Sequence, residues 1–224
     1  MNHRLIDFLS EHLTPRRINL FNAVLQQRTR YLTVVLEDIF QPQNASAVLR
    51  TCDCFGIHDV HIIENRNEFT VDREVAMGAS KWLNLKKYNQ YEQNSLEAIR
   101  ALKAQNYRIV ATCPHSNDQQ LHEFDVSKGK TALVFGSELP GISDAIRNEA
   151  DEFIKIPMYG FTESFNISVS AAIILHHLTL KIRQDNTINW HLSDEEKDEI
   201  KLEWIRRSLK RSDLLEQHYL QSIK

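Results

Sequence analysis

The sequence predicts an α/β protein with a mostly parallel sheet and helices on both faces, and three observations carry that expectation. Short apolar runs bounded by turn residues, Leu32 to Leu36 (LTVVL), Thr131 to Phe135 (TALVF) and Phe153 to Ile156, read as strands. TALVF shows no polar alternation, as suits a strand covered on both faces. A strand, loop, helix, strand rhythm from 32 to 63 describes a βαβ unit, whose crossover is right-handed. GSELPG and PMYGFTESFN each follow a strand and lead into a helix. They therefore lie at the carboxyl ends of strands, where open α/β sheets bind ligands.

Taken in order, residues 2 to 13 form a helix with Leu5, Phe8 and Leu9 on one side. Thr14 caps a second helix with Pro15 in its first position. That helix turns Ile18, Leu20, Phe21, Val24 and Leu25 inward and leaves Arg16, Arg17, Arg28 and Arg30 outside. After LTVVL and the loop EDIFQPQ, a helix runs from about Asn44 to Phe55, stopped by Gly56 in a left-handed conformation, and HDVHII is the next strand. Residues 66 to 80 are an irregular connection with a short helix, Trp82 to Tyr88 a short strand, and Ser95 to Gln105 an amphipathic helix through Leu96, Ile99 and Leu102. Tyr107 to Thr112 is a central strand whose end, at Thr112, Cys113 and Pro114, faces the later loops. Asn166 caps the long apolar helix that follows, its side-chain oxygen placed to accept from the N–H of Val169. Ser168, Ser170, Ala171 and Ala172 allow close packing of its first turns, and Ile173, Ile174, Leu178 and Ile182 continue it. Beyond Ile182 a polar linker reaches a capping box, Ser193 with Glu196. The terminal helix buries Ile200, Trp204 and Ile205 and carries basic stripes of Arg206 with Lys210 and Arg207 with Arg211 at i, i+4 spacing.

Composition sets the limits. With 224 residues, 42% hydrophobic and 25% charged, the chain supports one main core with small appendages. No charged-then-apolar leader and no apolar run near the ~20 residues of a membrane span is present, so a cytoplasmic protein is expected. Cys52, Cys54 and Cys113 are expected to be free thiols. A net charge of −3 argues against indiscriminate coating of nucleic acid, yet acid is concentrated at 144–151 and 194–199 while arginines gather near both ends. Neither GxGxxG nor GxxxxGK[ST] occurs, which disfavours dinucleotide and P-loop enzymes. His176 and His177, inside an apolar helix, suit packing or a dimer seam better than a metal, and no metal is expected.

Three segments, NASAVLR (44–50), FGSELPGIS (135–143) and IPMYGFTESFNISVSAA (156–172), together resemble the signature motifs of the SPOUT class of RNA methyltransferases, within it the TrmH-type ribose 2′-O-methyltransferases. The resemblance runs from about Val34 to Leu180. It implies a SPOUT fold with a deep trefoil knot in about 131–182, an obligate homodimer and S-adenosyl-L-methionine as methyl donor. By the same resemblance the catalytic set is Asn44, Arg50, Glu138, Ser164 and Asn166. Arg50 acts on the substrate; because a guanidinium stays protonated, it orients the ribose hydroxyl and stabilises developing charge rather than serving as a base. Glu138 is expected to fix Arg50 and the loops rather than face the sulfonium. For the donor, Gly136 and Gly141 allow close backbone approach, Ile156, Met158 and Phe165 supply apolar walls, and Thr112 contacts the methionine or ribose part. Tyr159 and Phe161 depart from the family pattern.

The expected organisation is an N-terminal RNA-binding extension (1–30), the methyltransferase domain (31–183) and a C-terminal helical extension (184–224). Arg16, Arg17, Arg206, Arg207, Lys210 and Arg211 are the candidate RNA contacts. Short flanks in place of a separate RNA-binding domain resemble the arrangement that modifies the D-loop guanosine, position 18, of tRNA. Another tRNA or rRNA ribose, or a catalytically silent RNA-binding dimer, are the alternatives.

Overall fold

The computed structural model describes residues 2–113 and 119–222; Pro114 lies outside them. Two compact units emerge, Thr29–Trp190 and the pair of terminal segments, Met1–Arg28 with His191–Lys224. The flanks thus combine into one helical unit. In chain order the helices are α1 (Asn2–Ser10), α2 (Pro15–Leu25), α3 (Pro42–Phe55), α4 (Arg73–Ala76), α5 (Asn94–Lys103), α6 (Asp144–Glu149), α7 (Ile167–Gln184), α8 (Asp194–Ser208) and α9 (Ser212–Ser222).

Within Thr29–Trp190, β1 (Leu32–Glu37), β2 (Asp59–Ile63), β3 (Asn84–Tyr88), β4 (Arg108–Thr112), β5 (Gln119–Gln120), β6 (Thr131–Phe135) and β7 (Glu152–Lys155) form one sheet. Their order is β3-β2-β1-β6-β4-β7-β5, and every pairing is parallel. Successive residues feed two cores. Val34, Leu36, Val110, Leu133 and Phe135 pack with residues of α3 and α7, whereas Val35, Ile109, Ala111, Ala132 and Val134 pack with α5 and α6. Burial on both faces is why β1 and β6 lack polar alternation. It also makes β1 and β6, neighbours in register from Leu32 opposite Thr131 to Leu36 opposite Phe135, a switch point. The chain leaves β1 toward the α3 face and β6 toward the α6 face, and such divergence opens a crevice at the strand ends.

Local signals explain the boundaries. Thr14 accepts from the N–H of Arg17 with Pro15 next to it, and Gly56, at φ 79°, closes α3. The strand foreseen from Trp82 starts at Asn84, because a 3-10 turn, Ala79–Lys81, occupies the chain just before it. In β2, His61 is buried and its Nδ1 lies 2.9 Å from the Tyr88 hydroxyl. Burial, helped by the Lys86 charge, pushes its pKa down to about 4. Between about pH 6.5 and pH 4 the unfolded chain binds a proton at this site that the native one refuses, so stability falls as pH drops. Urea unfolding should show a loss of about 2 kcal/mol at pH 5 relative to pH 7, and His61→Leu should remove most of that dependence.

The terminal unit corrects several expectations. Leu20 is 53% exposed, while Arg28 is only 1% exposed, its guanidinium 5.4 Å over the Trp204 ring, which Phe21 meets nearly edge-on. In the central unit Arg30 is not a free surface charge either, since its Nε lies 3.2 Å from Asp59. α1 stops at Ser10 and buries Ile6 and Leu9. At the other end the Ser193 and Glu196 capping box opens α8, and Ile200, Trp204 and Ile205 are buried. The i, i+4 basic stripes do not form: the chain turns extended at Leu209 (φ −95°, ψ 137°), leaving Lys210 and Arg211 in the break before α9. Arg206 holds Glu216 through two hydrogen bonds of 2.7 and 2.8 Å, and Arg207 pairs with Glu203.

Candidate active site

The loop after β6 folds onto itself. Ser137 and Gly141 exchange two backbone hydrogen bonds of 3.0 Å each. A Cβ on Gly136 would lie 2.2 Å from the Gly141 carbonyl carbon, so only glycine permits this closure. Gly141 itself sits at φ 69°. The loop ends at Ser143, whose hydroxyl caps α6 and whose N–H and Oγ donate to the buried Glu37 carboxylate at 2.8 and 2.6 Å. Ser95 Oγ donates to the same carboxylate at 2.5 Å.

Asn44, in the first turn of α3 and 8% exposed, joins the three motif segments. Its Nδ2 donates to Glu138 Oε1 at 2.8 Å and to Gln41 Oε1 at 3.0 Å, and its Oδ1 accepts from Asn166 Nδ2 at 3.0 Å. Glu138 also accepts from the backbone N–H groups of Phe40 (3.1 Å) and Gln41 (3.3 Å). Burial alone raises the Glu138 pKa, but the Asn44 amide and the N–H groups of Phe40, Glu138 and Gln41 outweigh it and hold the carboxyl below its ordinary value. Glu138 therefore fixes the loops, but through Asn44 and the backbone, and makes no ion pair with Arg50 among the described residues. Asn166 caps α7 as expected, yet its Oδ1 accepts from Ser168 N (2.9 Å) and Oγ (2.7 Å) rather than from Val169.

Between the end of β4 and the loops after β6 and β7 lies a cavity of about 520 Å³. Thr112, Gly136, Gly141, Ile156, Met158 and Phe165 all line it, as do Asn44, Glu138, Ser164 and Asn166. Thr112 is held by its own hydroxyl, which donates to Val134 O at 3.0 Å. The volume falls within the ~300–1,000 Å³ of small-ligand pockets. Bare backbone at the glycines, apolar side chains on the facing wall and one carboxylate at the edge fit S-adenosyl-L-methionine. The structure adds Gln41, Cys113, Arg147 and Lys155 to the lining. Of these only Cys113 carried a sequence signal, its place at the end of the strand that faces the later loops.

Arg50 stands apart. It is exposed on α3, does not line this cavity, and has no hydrogen bond or ion pair among the described residues. Arg16, Arg17, Lys210 and Arg211 are exposed in the terminal unit, while Arg206 and Arg207 are occupied by Glu216 and Glu203. Tyr159 and Phe161, the two departures in the third motif, are almost wholly exposed.

Comparison with known proteins shows the family. A tRNA (guanosine(18)-2′-O)-methyltransferase of Borreliella burgdorferi is 41% identical over 211 residues, covering 94% of each chain. One of the same description from Thermus thermophilus is 36% identical over 162 residues, or 72% of this chain and 81% of that protein. The crystal structure of the A. aeolicus TrmH/SpoU tRNA modifying enzyme matches with a TM-score of 0.77 at 28% identity, over 87% of this chain and 97% of that one. The SpoU rRNA Methylase family profile matches residues 31–176, a span that holds β1, the Asn44 hub and both glycine-bearing loops, and the chain belongs to that family.

Proposed function

We propose that the protein transfers a methyl group from S-adenosyl-L-methionine to the ribose 2′-hydroxyl of the D-loop guanosine, position 18, of tRNA. The observation that carries this reading is the single amide of Asn44 tying Glu138 and Asn166 together at the edge of the cavity. Relatives described as tRNA (guanosine(18)-2′-O)-methyltransferases and matched over most of their length support the choice of RNA. When bound, S-adenosyl-L-methionine supplies an electrophilic methyl group. The chain's own residues align the reactants, which alone accounts for a large share of such a rate enhancement. Glu138, Asn44 and Asn166 hold the loops in place, Thr112, Ile156, Met158 and Phe165 grip the donor, and Ser164 contacts the reacting region. Arg50 orients the hydroxyl and stabilises its developing charge, while the proton leaves to water or an RNA phosphate.

The same reading assigns the protein to the cytoplasm as a homodimer, with 131–182 threaded as a trefoil knot and α7, exposed at Val169 and Leu180, available to a second copy. No helix among the described residues is long and apolar enough to cross a membrane. Arg16, Arg17, Lys210 and Arg211 serve as phosphate contacts, with Arg206 and Arg207 joining only if they leave their carboxylates.

The test is incubation with labelled donor and total tRNA and rRNA, followed by mapping of the methylated nucleotide. Label at guanosine 18 of tRNA is expected; label confined to rRNA or to another tRNA ribose would replace the substrate assignment, and tight RNA binding with no label would make the protein a silent binder. Arg50→Ala should keep donor affinity and lose about 10²-fold in transfer rate.

A further inference from the structure

A second cavity, of about 560 Å³, lies on the other side of the Ser137–Gly141 loop, at the switch point between the carboxyl ends of β1 and β6. The two cavities share that loop and Glu138 as a common wall. Phe40, 70% exposed, and Leu139, 97% exposed, flank the opening with apolar surface that nothing among the described residues covers. The remaining lining is rich in hydrogen-bond acceptors, chiefly Asp38 and Glu92, with Arg66 exposed alongside. A bare phosphate is a poor occupant of so acidic a crevice. A planar group with donors on its edge suits it well.

Asp38 is the residue best prepared for such a group. It sits at φ 54° immediately after β1, held by its own N–H to Ile63 O at 2.9 Å. Its Oδ1 accepts from the N–H groups of Asn65 (2.7 Å), Arg66 (2.8 Å) and Asn67 (3.3 Å), which immobilises the side chain. Oδ2 has no partner among the described residues. Glu37, one residue earlier, is not available for a ligand in the same way, because both its oxygens are taken by Ser143 and one also by Ser95. The crevice therefore offers one oriented carboxylate oxygen beside an exposed aromatic ring.

Enzymes that act on a single nucleotide take it out of the stack, read the edge of its base by hydrogen bonds and cover its face with aromatic or apolar side chains. We propose that this crevice receives the base of the target guanosine, with Asp38 Oδ2 accepting from both the N1–H and the 2-amino group and Phe40 stacking on the ring. The ribose would then lie over the shared wall, between the base and the donor cavity, with Arg66 at the mouth facing the neighbouring phosphate. Guanine is preferred over the other bases because it alone places two adjacent donors, N1–H and the 2-amino group, on one edge. This inference rests on the ribose methyltransferase reading given above.

Asp38→Asn keeps an oxygen for the three backbone N–H groups and tolerates the left-handed backbone, while replacing the other oxygen with a donor. The experiment measures kcat/KM on one tRNA transcript carrying guanosine or inosine, which lacks only the 2-amino group, at the methylated position, alongside donor affinity by calorimetry. The wild-type protein should favour guanosine by about 10-fold or more. Asp38→Asn should lose about 10- to 100-fold on guanosine and bring the guanosine-to-inosine ratio toward unity, with donor affinity unchanged. Phe40→Ala, whose side chain makes no hydrogen bond, should raise KM for tRNA and leave donor affinity unchanged, and it decides the matter if Asp38→Asn disturbs residues 65–67. An active wild-type protein whose two variants retain kcat/KM within about two-fold and the same base ratio would overturn the crevice assignment alone. A wild-type protein that methylates no guanosine ribose would overturn the functional reading and the crevice with it.

Discussion

Gly136→Ala is expected to abolish measurable donor binding, a loss on the order of 10³-fold in affinity, or about 4 kcal/mol. The added Cβ would stand 2.2 Å from Gly141 C, 2.3 Å from Ile142 N and 2.4 Å from Gly141 O, all backbone atoms that no rotamer change can move aside. Relief requires the loop to open by nearly an ångström. That breaks the paired Ser137 and Gly141 hydrogen bonds, each worth ~1 kcal/mol net and more if its groups stay dry. It also withdraws the wall shared by both cavities and moves Glu138 away from Asn44. Gly141→Ala makes the informative contrast. At Gly141 nothing stands within 4 Å of a Cβ, and only the φ of 69° opposes a side chain. The cost there is ~1–2 kcal/mol of left-handed backbone strain, so donor affinity should drop by no more than about 30-fold. Calorimetric titration of both variants with S-adenosyl-L-methionine checks the ranking, and equal affinities would show that closure of the loop is not what forms the donor cavity.

The sequence disclosed the parts of the fold that local chemistry decides. β1 and β6 were legible because burial on both faces leaves a nearly continuous apolar run, and Thr14, Pro15, Gly56, Ser193 and Glu196 marked helix ends through contacts only a few residues long. Of the residues that line the cavity, Gly136, Gly141, Ile156, Met158 and Phe165 were legible through the motifs, not through periodicity. What stayed hidden depends on partners distant in sequence. The bond from Asn44 to Glu138 spans 94 positions and the one from Asn44 to Asn166 spans 122, so no local pattern announces them. Arg28 reads as surface by its charge, and the Trp204 ring that its guanidinium covers lies 176 positions away in the chain. The basic stripes failed for a different reason: helical spacing was extrapolated across Leu209, where Ser212 and Asp213 start a new helix whose Glu216 claims Arg206.

Asn44→Asp should cost on the order of 10³-fold in kcat while an acidic shift in pH restores part of it. The substitution keeps shape and the acceptor for Asn166 Nδ2, but replaces the amide donor that stands 2.8 Å from Glu138 with a second carboxylate. Losing a hydrogen bond to a charged group costs ~1.5–3 kcal/mol. Like charges about 4 Å apart add ~1–4 kcal/mol, the lower figure holding where water reaches the pair. Together these exceed what the Phe40 and Gln41 N–H groups can retain, and the loops after β1 and β6 separate. The pH signature distinguishes this account from simple misfolding. In the wild-type protein the Glu138 pKa is lowered, so its contribution is in place above the ordinary value near 4.5 and fades only as pH falls through the lower folded value; between pH 8 and pH 5.5 this group leaves activity flat. In the variant two facing carboxylates drive one pKa upward, and the proton they come to share rebuilds the missing hydrogen bond. The rate of Asn44→Asp relative to wild type should therefore rise several-fold from pH 7.5 to pH 5.5, whereas Asn44→Ala, with no proton to gain, should remain flat. Parallel profiles for the two variants would mean that the Asn44 to Glu138 bond does not hold the site together.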